Sequence, residues 1–232
     1  MKKDKITAIV LAAGQGKRMG TRIAKQYLLL DGKPILYYAL FAFEKSAVDE
    51  IVLVVKDNEI SFCKEEIIKK YGFTKVTKIV AGGEERYHSV YQGLKASSDT
   101  DYVLIHDGAR PFLSQDMISR TIETVKKEKA CVVGMPVKDT IKIANEKLYA
   151  TVTPNRKDVW MIQTPQAFSY DLILKAYEKI IDSDDDMVTD DAMVLEKAEH
   201  IPVKLVEGSY YNIKITTPED MKIAELFVKD TF

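Results

Sequence analysis

The sequence has few of the residues that mark disulfide-rich or zinc-binding proteins. Only two of its 232 residues are cysteines, Cys63 and Cys131, and neither lies in a Cys-x-x-Cys or Cys/His spacing. Neither a disulfide framework nor a zinc site is therefore indicated. The three histidines, His88, His106 and His200, are scattered without a partner nucleophile. We expect reduced thiols, as in a cytoplasmic protein.

Long apolar runs and an excess of charge of one sign are also missing. No apolar run approaches the roughly 20 residues of a membrane span, and the run over 6–13 behind the basic N-terminus is too short for a signal peptide. Lys and Arg total 34 against 35 Asp and Glu, which gives a net charge of −1. No overall field therefore favours nucleic acid or an anionic membrane. We expect the protein to bind neither, so any positive site must be local.

The composition that remains is that of an ordinary globular protein. Hydrophobic residues make up 46% of the chain and charged residues 30%, which is enough to bury a substantial core. The sequence shows no internal repeat and no low-complexity linker. We therefore predict a single domain over residues 1–232.

Short apolar runs alternate with stretches of helical periodicity. The runs are nearly continuous in Val, Ile and Leu, as expected for strands whose two faces are both covered by helices. This order predicts an α/β fold with a doubly wound, mostly parallel Rossmann-like sheet and helices on both faces. The predicted strands are Ile6–Ala12, Ile51–Val55, Val76–Val80, Tyr102–His106 and Cys131–Val137. Helices are predicted around Ile35–Phe43, Met117–Val125 and Leu172–Ile181.

The segment 138–152 breaks this pattern, because polar and apolar residues alternate on both sides of Ala144-Asn145-Glu146. Such alternation predicts a β-hairpin that extends from the sheet. A hairpin alone is marginally stable in water, so we expect this one to rest on something, and a second subunit is a reasonable candidate. We treat 138–158 as a projecting arm.

A glycine-rich loop follows the first predicted strand, with Gly14, Gly16 and Gly20 near the basic residues Arg18 and Lys25. Small residues let backbone N–H groups approach a phosphate, and the cations can neutralise its charge. Three residues separate Gly16 from Gly20, which does not fit the GxGxxG dinucleotide fingerprint and disfavours a nicotinamide oxidoreductase. Arg18 after Gly16-Lys17 also excludes a Walker A motif. A basic turn without a ligand is the alternative interpretation.

This loop, Leu-Ala-Ala-Gly-x-Gly-x-Arg-Met followed by Lys-Gln-Tyr, resembles the signature of sugar-nucleotide pyrophosphorylases and cytidylyltransferases. Further motifs sharpen the resemblance to the methylerythritol phosphate cytidylyltransferase family, and they occur in that family's order across nearly the whole chain. These motifs are Gly82-Gly83-Glu84-Glu85-Arg86 with Ser89, His106-Asp107-Gly108-Ala109-Arg110-Pro111, Lys138-Asp139-Thr140, Gln163-Thr164-Pro165-Gln166 and Asn212-Ile213-Lys214.

The resemblance implies transfer of CMP from CTP to a small polyol phosphate, with release of pyrophosphate. Since both reactants are anions, catalysis must come mainly from cations that hold them together. The resemblance assigns Arg18 and Lys25 to the transition state, and Arg156 and Lys214 to positioning of the attacking phosphate. It places Mg²⁺ at Asp107, whose carboxylate suits that ion. The alternative role for Asp107 is to cap the following turn.

The resemblance also implies which residues contact each substrate. Glu84 stands where the family often has aspartate, a departure that keeps the charge but lengthens the reach. Glu84 and Ser89 could equally be ordinary residues at the start of a helix. For the nucleotide the implied residues are Ala12, Ala13, Gly14, Gly16, Gly83, Glu84, Ser89 and Asp107. For the second substrate they are Asp107, Arg110, Thr140, Arg156, Thr164, Thr189 and Lys214.

Part of the acceptor site is implied to come from a second subunit. The resemblance suggests that Thr140, Arg156 and Thr164 are donated by the neighbouring chain's hairpin region, which makes a homodimer necessary for activity. Lys157 competes with Arg156 for the contact with the substrate phosphate, because the alignment there can slip by one residue. Thr189 precedes a predicted helix start and could be both its cap and a neighbour of the substrate.

Two other functions remain open. A ribitol or other pentitol phosphate cytidylyltransferase would share the fold, the loop and the mechanism and differ mainly in the acceptor pocket. A nucleotide-binding module without turnover would use the same loop, although the combined charge of Arg18, Lys25, Asp107, Arg156 and Lys214 exceeds what binding alone requires.

Overall fold

The structure is a computed structural model that describes residues 3–14, 24–183 and 188–231. Its strands are β1 (Ile6–Leu11), β2 (Leu29–Leu30), β3 (Lys33–Pro34), β4 (Glu50–Val55), β5 (Val76–Ala81), β6 (Tyr102–Asp107), β7 (Ala130–Pro136), β8 (Ile143–Ala144), β9 (Ala150–Val152), β10 (Trp160–Ser169) and β11 (Lys204–Glu207). Its helices are α1 (Ile35–Glu44), α2 (Ile60–Phe62), which continues as a π-helix over Cys63–Lys69, α3 (Arg86–Ala96), α4 (Gln115–Glu128), α5 (Tyr170–Ser183), α6 (Asp191–Glu199) and α7 (Pro218–Thr231).

The central sheet has seven strands in the order β11-β7-β10-β6-β1-β4-β5. β1 lies between β4 and β6 and is parallel to both, β5 is parallel to β4, and β11 is parallel to β7. Only β10 among these described strands runs antiparallel to its neighbours, β6 and β7. The prediction of a mostly parallel sheet is therefore confirmed.

The sequence did not predict β10 and β11. Gln163, Thr164, Pro165 and Gln166 interrupt the apolar character of β10, and a proline inside a run disfavours a strand. The strand tolerates them because its register with β7 shifts between Ile162 and Gln166. The Thr164–Pro165 peptide bond in this irregular stretch is cis.

Helices cover both faces of the sheet, as the continuous apolar strands predicted. On one face α1, α4 and the π-helix bury residues such as Leu40 and Ile122. On the other face α3, α5 and α6 bury residues such as Val90, Tyr177 and Leu195. A third cluster joins α7 to the short β2–β3 pair.

The start of α6 differs from the sequence prediction. Asp190, not Thr189, is the N-cap residue, and its carboxylate accepts a hydrogen bond from the Met193 N–H at 2.9 Å. An aspartate ranks above threonine at this position. Thr189 therefore precedes the helix without capping it.

The hairpin predicted within 138–152 is present as the antiparallel pair β8–β9. The Asn145 side chain closes its turn by accepting hydrogen bonds from the Lys147 and Tyr149 N–H groups. Every residue from 138 to 153 is exposed, and Leu148 and Tyr149 at the tip are 88% and 70% exposed. The core of its own chain therefore leaves the hairpin uncovered.

Both cysteines are free and buried. Burial raises the pKa of Cys63 to about 11 and that of Cys131 to about 12. Within the described part of the chain, we find no helix whose length and hydrophobicity would let it cross a membrane.

Gly93 allows α3 to lie close against the sheet. A Cβ atom at this position would stand 2.5 Å from Ile9 Cγ2 and 3.1 Å from Val54 Cγ2. We expect Gly93→Ala to lower the free energy of unfolding, because overpacking costs about 1–3 kcal/mol and exceeds the gain in helix propensity of about 1 kcal/mol. Urea denaturation of the two proteins measures the difference. Lys95→Ala, on the exposed side of α3, is the control; equal stability of the wild type and Gly93→Ala would contradict the packing argument.

Candidate active site

A cleft of about 260 Å³ opens at the carboxyl ends of the parallel strands β1, β5 and β6, where ligands bind in open α/β sheets. The glycine-rich loop, the Gly82–Gly83 turn and the end of β6 converge there. The lining residues are Leu11, Ala12, Ala13, Gly14, Lys25, Gln26, Gly83, Glu84, Glu85, Arg86, Ser89, Asp107, Ala109 and Lys214. All the predicted nucleotide contacts within the described residues are among them. Gly16 and Arg18 lie outside the described residues.

Gln26 fixes the start of the glycine-rich loop. Its side-chain amide donates to the Ala12 carbonyl at 2.5 Å and more weakly to the Gly14 carbonyl at 3.5 Å, and the residue is only 2% exposed. The Ala12 N–H in turn donates to the Val54 carbonyl at 2.7 Å. The short 3-10 turn Lys25–Tyr27 is thereby tied to the end of β1.

Tyr27 anchors the other side of this turn. Its hydroxyl donates to Glu59 at 2.8 Å and lies 3.1 Å from the Cys63 sulfur, while its ring meets Phe62 edge-on. Burial, followed by these neighbours, raises the pKa of Tyr27 well above its usual value. The turn that carries Lys25 is thus held between β1 and the start of the π-helix.

The Gly82–Gly83 turn brings backbone close to the cleft. A Cβ atom on Gly82 would come within 2.6 Å of both Ala13 Cβ and Ser89 Oγ, so glycine is needed for this approach. The Ser89 hydroxyl accepts from the Gly83 N–H at 3.1 Å and donates to the Glu85 carbonyl at 3.3 Å. Ser89 therefore shapes the nucleotide-side wall as well as lining it.

Asp107, the last residue of β6, is the electrostatic centre of the site. Its Oδ2 lies 2.9 Å from Lys214 Nζ and 3.6 Å from Arg110 Nε, and its Oδ1 accepts from Arg86 Nε at 3.3 Å. Burial by itself would raise the pKa of Asp107, but Arg86, Lys214 and Arg110 outweigh it and hold the pKa well below its usual range. Asp107 is therefore an ionised carboxylate enclosed by cations.

A second pocket of about 320 Å³ adjoins the cleft. Arg86, Asp107 and Lys214 line both cavities. The other residues around the second pocket are Arg110, Ile162, Gln163, Thr164, Gln166, Thr189 and Asp190. The sequence predicted Arg110, Thr164, Thr189 and Lys214 for the acceptor, so the structure brings these four together around Asp107.

Thr164 belongs to the site of its own chain, which corrects the expectation that it is donated by a neighbour. It is buried in β10, and its oxygen accepts from the Asp107 N–H at 3.1 Å and lies 3.0 Å from His106 Nδ1. His106 Nε2 lies 3.2 Å from the Arg110 carbonyl, which can only accept. The histidine therefore carries its proton on Nε2, and the single hydroxyl proton of Thr164 points to Nδ1.

Thr140 and Arg156 are not among the residues that line either cavity of this chain. Both are exposed in the arm, where Arg156 donates to the Lys138 carbonyl at 3.1 Å. Lys157, the competing cation, is equally exposed, and its N–H donates to the Asn155 side chain. Within one chain, Thr140 and Arg156 therefore do not lie with the other residues predicted for the acceptor site.

Sequence reasoning gave no role to Arg86, Gln26 or Asn212. The Asn212 side chain is buried and donates to the Thr164 carbonyl at 2.9 Å, and the backbone carbonyl of Asn212 accepts from Arg110 at 2.8 Å. It thereby fixes the segment that carries Lys214. All three residues lie within motifs of the family, and these motifs were the available sequence signal. Their hydrogen-bond partners lie in other segments of the chain, so no local pattern indicated the contacts.

A loop of small residues at the edge of a parallel sheet, joined to a second pocket through shared charged side chains, defines a group-transfer site of the nucleotidyltransferase class. Comparison with known proteins identifies the family. The sequence model of the 2-C-methyl-D-erythritol 4-phosphate cytidylyltransferases matches residues 6–230, and the chain belongs to this family.

Individual relatives cover nearly the whole chain. A 2-C-methyl-D-erythritol 4-phosphate cytidylyltransferase from Lachnoclostridium phytofermentans is 52% identical over 227 residues, which span 98% of this chain and 97% of the relative. One from Clostridium botulinum is 51% identical and aligns over 96% of each chain. Among solved structures, a 4-diphosphocytidyl-2C-methyl-D-erythritol synthase from Anaerococcus prevotii superposes with a TM-score of 0.86 at 37% identity and covers 97% of this chain and 96% of that one.

His106 generates a prediction about pH. Burial lowers its pKa to about 4 from 6.5, so between these values the unfolded chain binds a proton that the folded chain excludes. Stability should therefore fall as the pH decreases through this window, by an amount on the order of 3 kcal/mol. The free energy of unfolding, measured by denaturation at each pH from 7 to 4, should change less with pH for His106→Gln than for the wild type. His200→Asn, at an exposed position, is the control; parallel curves for the wild type and His106→Gln would refute this account.

Proposed function

We propose that this chain transfers the cytidylyl group of CTP to 2-C-methyl-D-erythritol 4-phosphate, giving the CDP-linked methylerythritol and pyrophosphate in non-mevalonate isoprenoid precursor synthesis. The observation that carries the proposal is the common wall of Arg86, Asp107 and Lys214 between two adjoining cavities. Group transfer between two bound substrates needs this adjacency. Membership of the family supplies the identity of the two substrates.

The larger part of the nucleotide binds in the 260 Å³ cleft. The cytosine lies by the Gly83 turn, and the triphosphate lies along Ala12, Ala13 and Gly14, whose small side chains leave backbone groups accessible. Lys25 lines the same cleft and reaches the triphosphate, and the resemblance adds Arg18. The polyol phosphate occupies the second pocket beside Arg110, Thr189 and Lys214.

The reaction is an in-line displacement at the α-phosphorus. A phosphate oxygen of the polyol phosphate forms a bond to that phosphorus, the bond to the bridging oxygen of the β-phosphate breaks, and pyrophosphate leaves with the electron pair. Lys214 stands at the common wall with 37% of its side chain exposed, so its ammonium can hold the attacking phosphate. Lys25 and Arg18 stabilise the charge that develops around phosphorus.

Magnesium dependence is part of this proposal. Over the described ranges, no group of three or more His, Cys, Asp or Glu side chains is placed to hold a metal ion. Mg²⁺, however, is commonly held by one or two carboxylates together with substrate phosphates and water. Asp107 fits that role because it is ionised and lines both cavities. It would hold Mg²⁺ with the triphosphate oxygens, and the ion would neutralise phosphate charge.

We further propose that two chains complete each acceptor site. Thr140 and Arg156 lie in the arm and outside the cavities of their own chain, and the apolar side chains of Leu148 and Tyr149 are left exposed at its tip. A symmetric homodimer that buries the two arms would cover these side chains and deliver Arg156 to the partner's site. Thr164 has no part in this exchange.

Separate observations disfavour the two alternative functions. The relatives at 52% and 51% identity carry the methylerythritol phosphate activity in their names, which disfavours a pentitol phosphate acceptor. A binding module without turnover would not need cations shared between two cavities. The cytoplasmic location stays a prediction from the sequence.

Pyrophosphate release with CTP and Mg²⁺ tests the reaction. We expect turnover with methylerythritol 4-phosphate and little with ribitol 5-phosphate, ATP, GTP or UTP, and we expect EDTA to abolish it. Turnover only with ribitol phosphate would replace the acceptor, and no turnover with any pair would favour the binding module.

Mixing two inactive variants tests the shared site. Lys25→Ala and Arg156→Ala should each lose at least about 100-fold in kcat, because each removes a cation from every site of its homodimer. After subunit exchange, every mixed dimer regains one intact site, so about a quarter of wild-type activity should return. Lys157→Ala is the control for register and should keep activity. No recovery in mixtures that demonstrably contain mixed dimers would mean that Arg156 serves its own chain.

A further inference from the structure

Arg86 begins α3 on the nucleotide side and connects two acidic residues that are far apart in the chain. Its Nε donates to Asp107 Oδ1 at 3.3 Å, and its two terminal nitrogens donate to the two Asp191 oxygens, both at 2.8 Å. Burial would lower the pKa of Arg86, but Asp191 and Asp107 raise it well above its usual value. The guanidinium is therefore a fixed cation with three of its N–H groups committed.

Asp191 fixes the other end of this connection. It is the first residue of α6, it is 0% exposed, and it lines neither cavity. The Tyr177 hydroxyl donates to its Oδ1 at 2.5 Å, and Gln166 Oε1 accepts from the N–H groups of Asp191 and Ala192. The start of α6 is thus held rigidly against β10.

The two residues before Asp191 face the acceptor pocket. Thr189 and Asp190 both line it, and Asp190 also accepts from the Gln166 side chain at 3.0 Å. A displacement of Asp191 would therefore move the wall that carries Thr189. Arg86 links this wall to Asp107, because it donates hydrogen bonds to both Asp191 and Asp107.

We propose that Arg86 is a positioning residue that sets the acceptor pocket relative to Asp107 through its two-bond pair with Asp191. This inference rests on the proposed function. The pair acts on the acceptor side because Asp191 begins the helix whose preceding residues line that pocket, whereas the nucleotide wall at Gly83 is held separately by Ser89. Lysine cannot replace Arg86 in this pair, because an ammonium lacks the planar fork that engages both carboxylate oxygens.

The experiment compares Arg86→Lys, Asp191→Asn and the double variant in steady-state pyrophosphate release, with each substrate varied in turn. We expect each single variant to raise the KM for the polyol phosphate about tenfold and to change the KM for CTP by less than about threefold. The double variant should be no worse than Arg86→Lys alone, since both changes break one interaction. Arg120→Lys and Asp116→Asn, at the exposed pair of α4 with a 2.9 Å contact, are the matched controls and should behave as wild type.

Three results would overturn the proposal: kinetic constants within twofold of wild type, additive effects in the double variant, or a larger rise in the KM for CTP than in that for the acceptor, which would make Arg86 a nucleotide ligand.

Thermal unfolding monitors the fold of each variant. If Asp191→Asn does not fold, Tyr177→Phe removes one hydrogen bond to Asp191 and should raise the acceptor KM about twofold to fivefold, without a change in the KM for CTP. An unchanged acceptor KM would then count against the proposal. Failure of the proposed function itself would appear separately, as a wild-type chain that releases no pyrophosphate.

Discussion

The rest of the site depends on a single ionised carboxylate at the end of β6. Asp107 is buried where a lone charge would be too costly to keep, and it stays charged only because Arg86, Arg110 and Lys214 surround it. The same requirement works in the other direction, because these three cations would repel one another without Asp107 between them. The fold therefore gathers positive charge for two anionic substrates by building it around a negative centre.

The sheet explains why these four side chains meet. β6 lies next to β1, so its carboxyl end opens beside the glycine-rich loop, and β10 runs back along β6 so that Thr164 meets the Asp107 backbone. Lys214 arrives on a segment that Asn212 ties to Thr164. Arg86, Lys214 and the Asp107–Arg110 turn are three separate pieces of chain whose backbone is already fixed, which reduces the cost of ordering the site when substrates bind.

Local patterns in the sequence could be interpreted, whereas contacts between residues far apart along the chain could not. The parallel strands could be predicted because their apolar runs are local, and Asp107 and Lys214 could be proposed because they lie in short motifs that resemble those of the family. The role of Arg86 could not, since its partner Asp191 is 105 positions away and nothing near Arg86 indicates it. The sequence does not predict β10 because its polar centre serves the site instead of the strand. It offers Thr189 as both cap and substrate neighbour, and the structure gives the cap to the adjacent Asp190 and leaves Thr189 in the pocket wall.

The two buried thiols have a practical consequence for work on this protein. With pKa values of about 11 and 12, they hold almost no thiolate at neutral pH, and thiolate is the form that reacts with electrophiles and oxidants. A cysteine introduced at an exposed position away from the arm, such as Lys95→Cys on α3, would therefore be the preferred target of a thiol-reactive dye. A spectroscopic label could then be attached to α3 alone, without removal of either native cysteine.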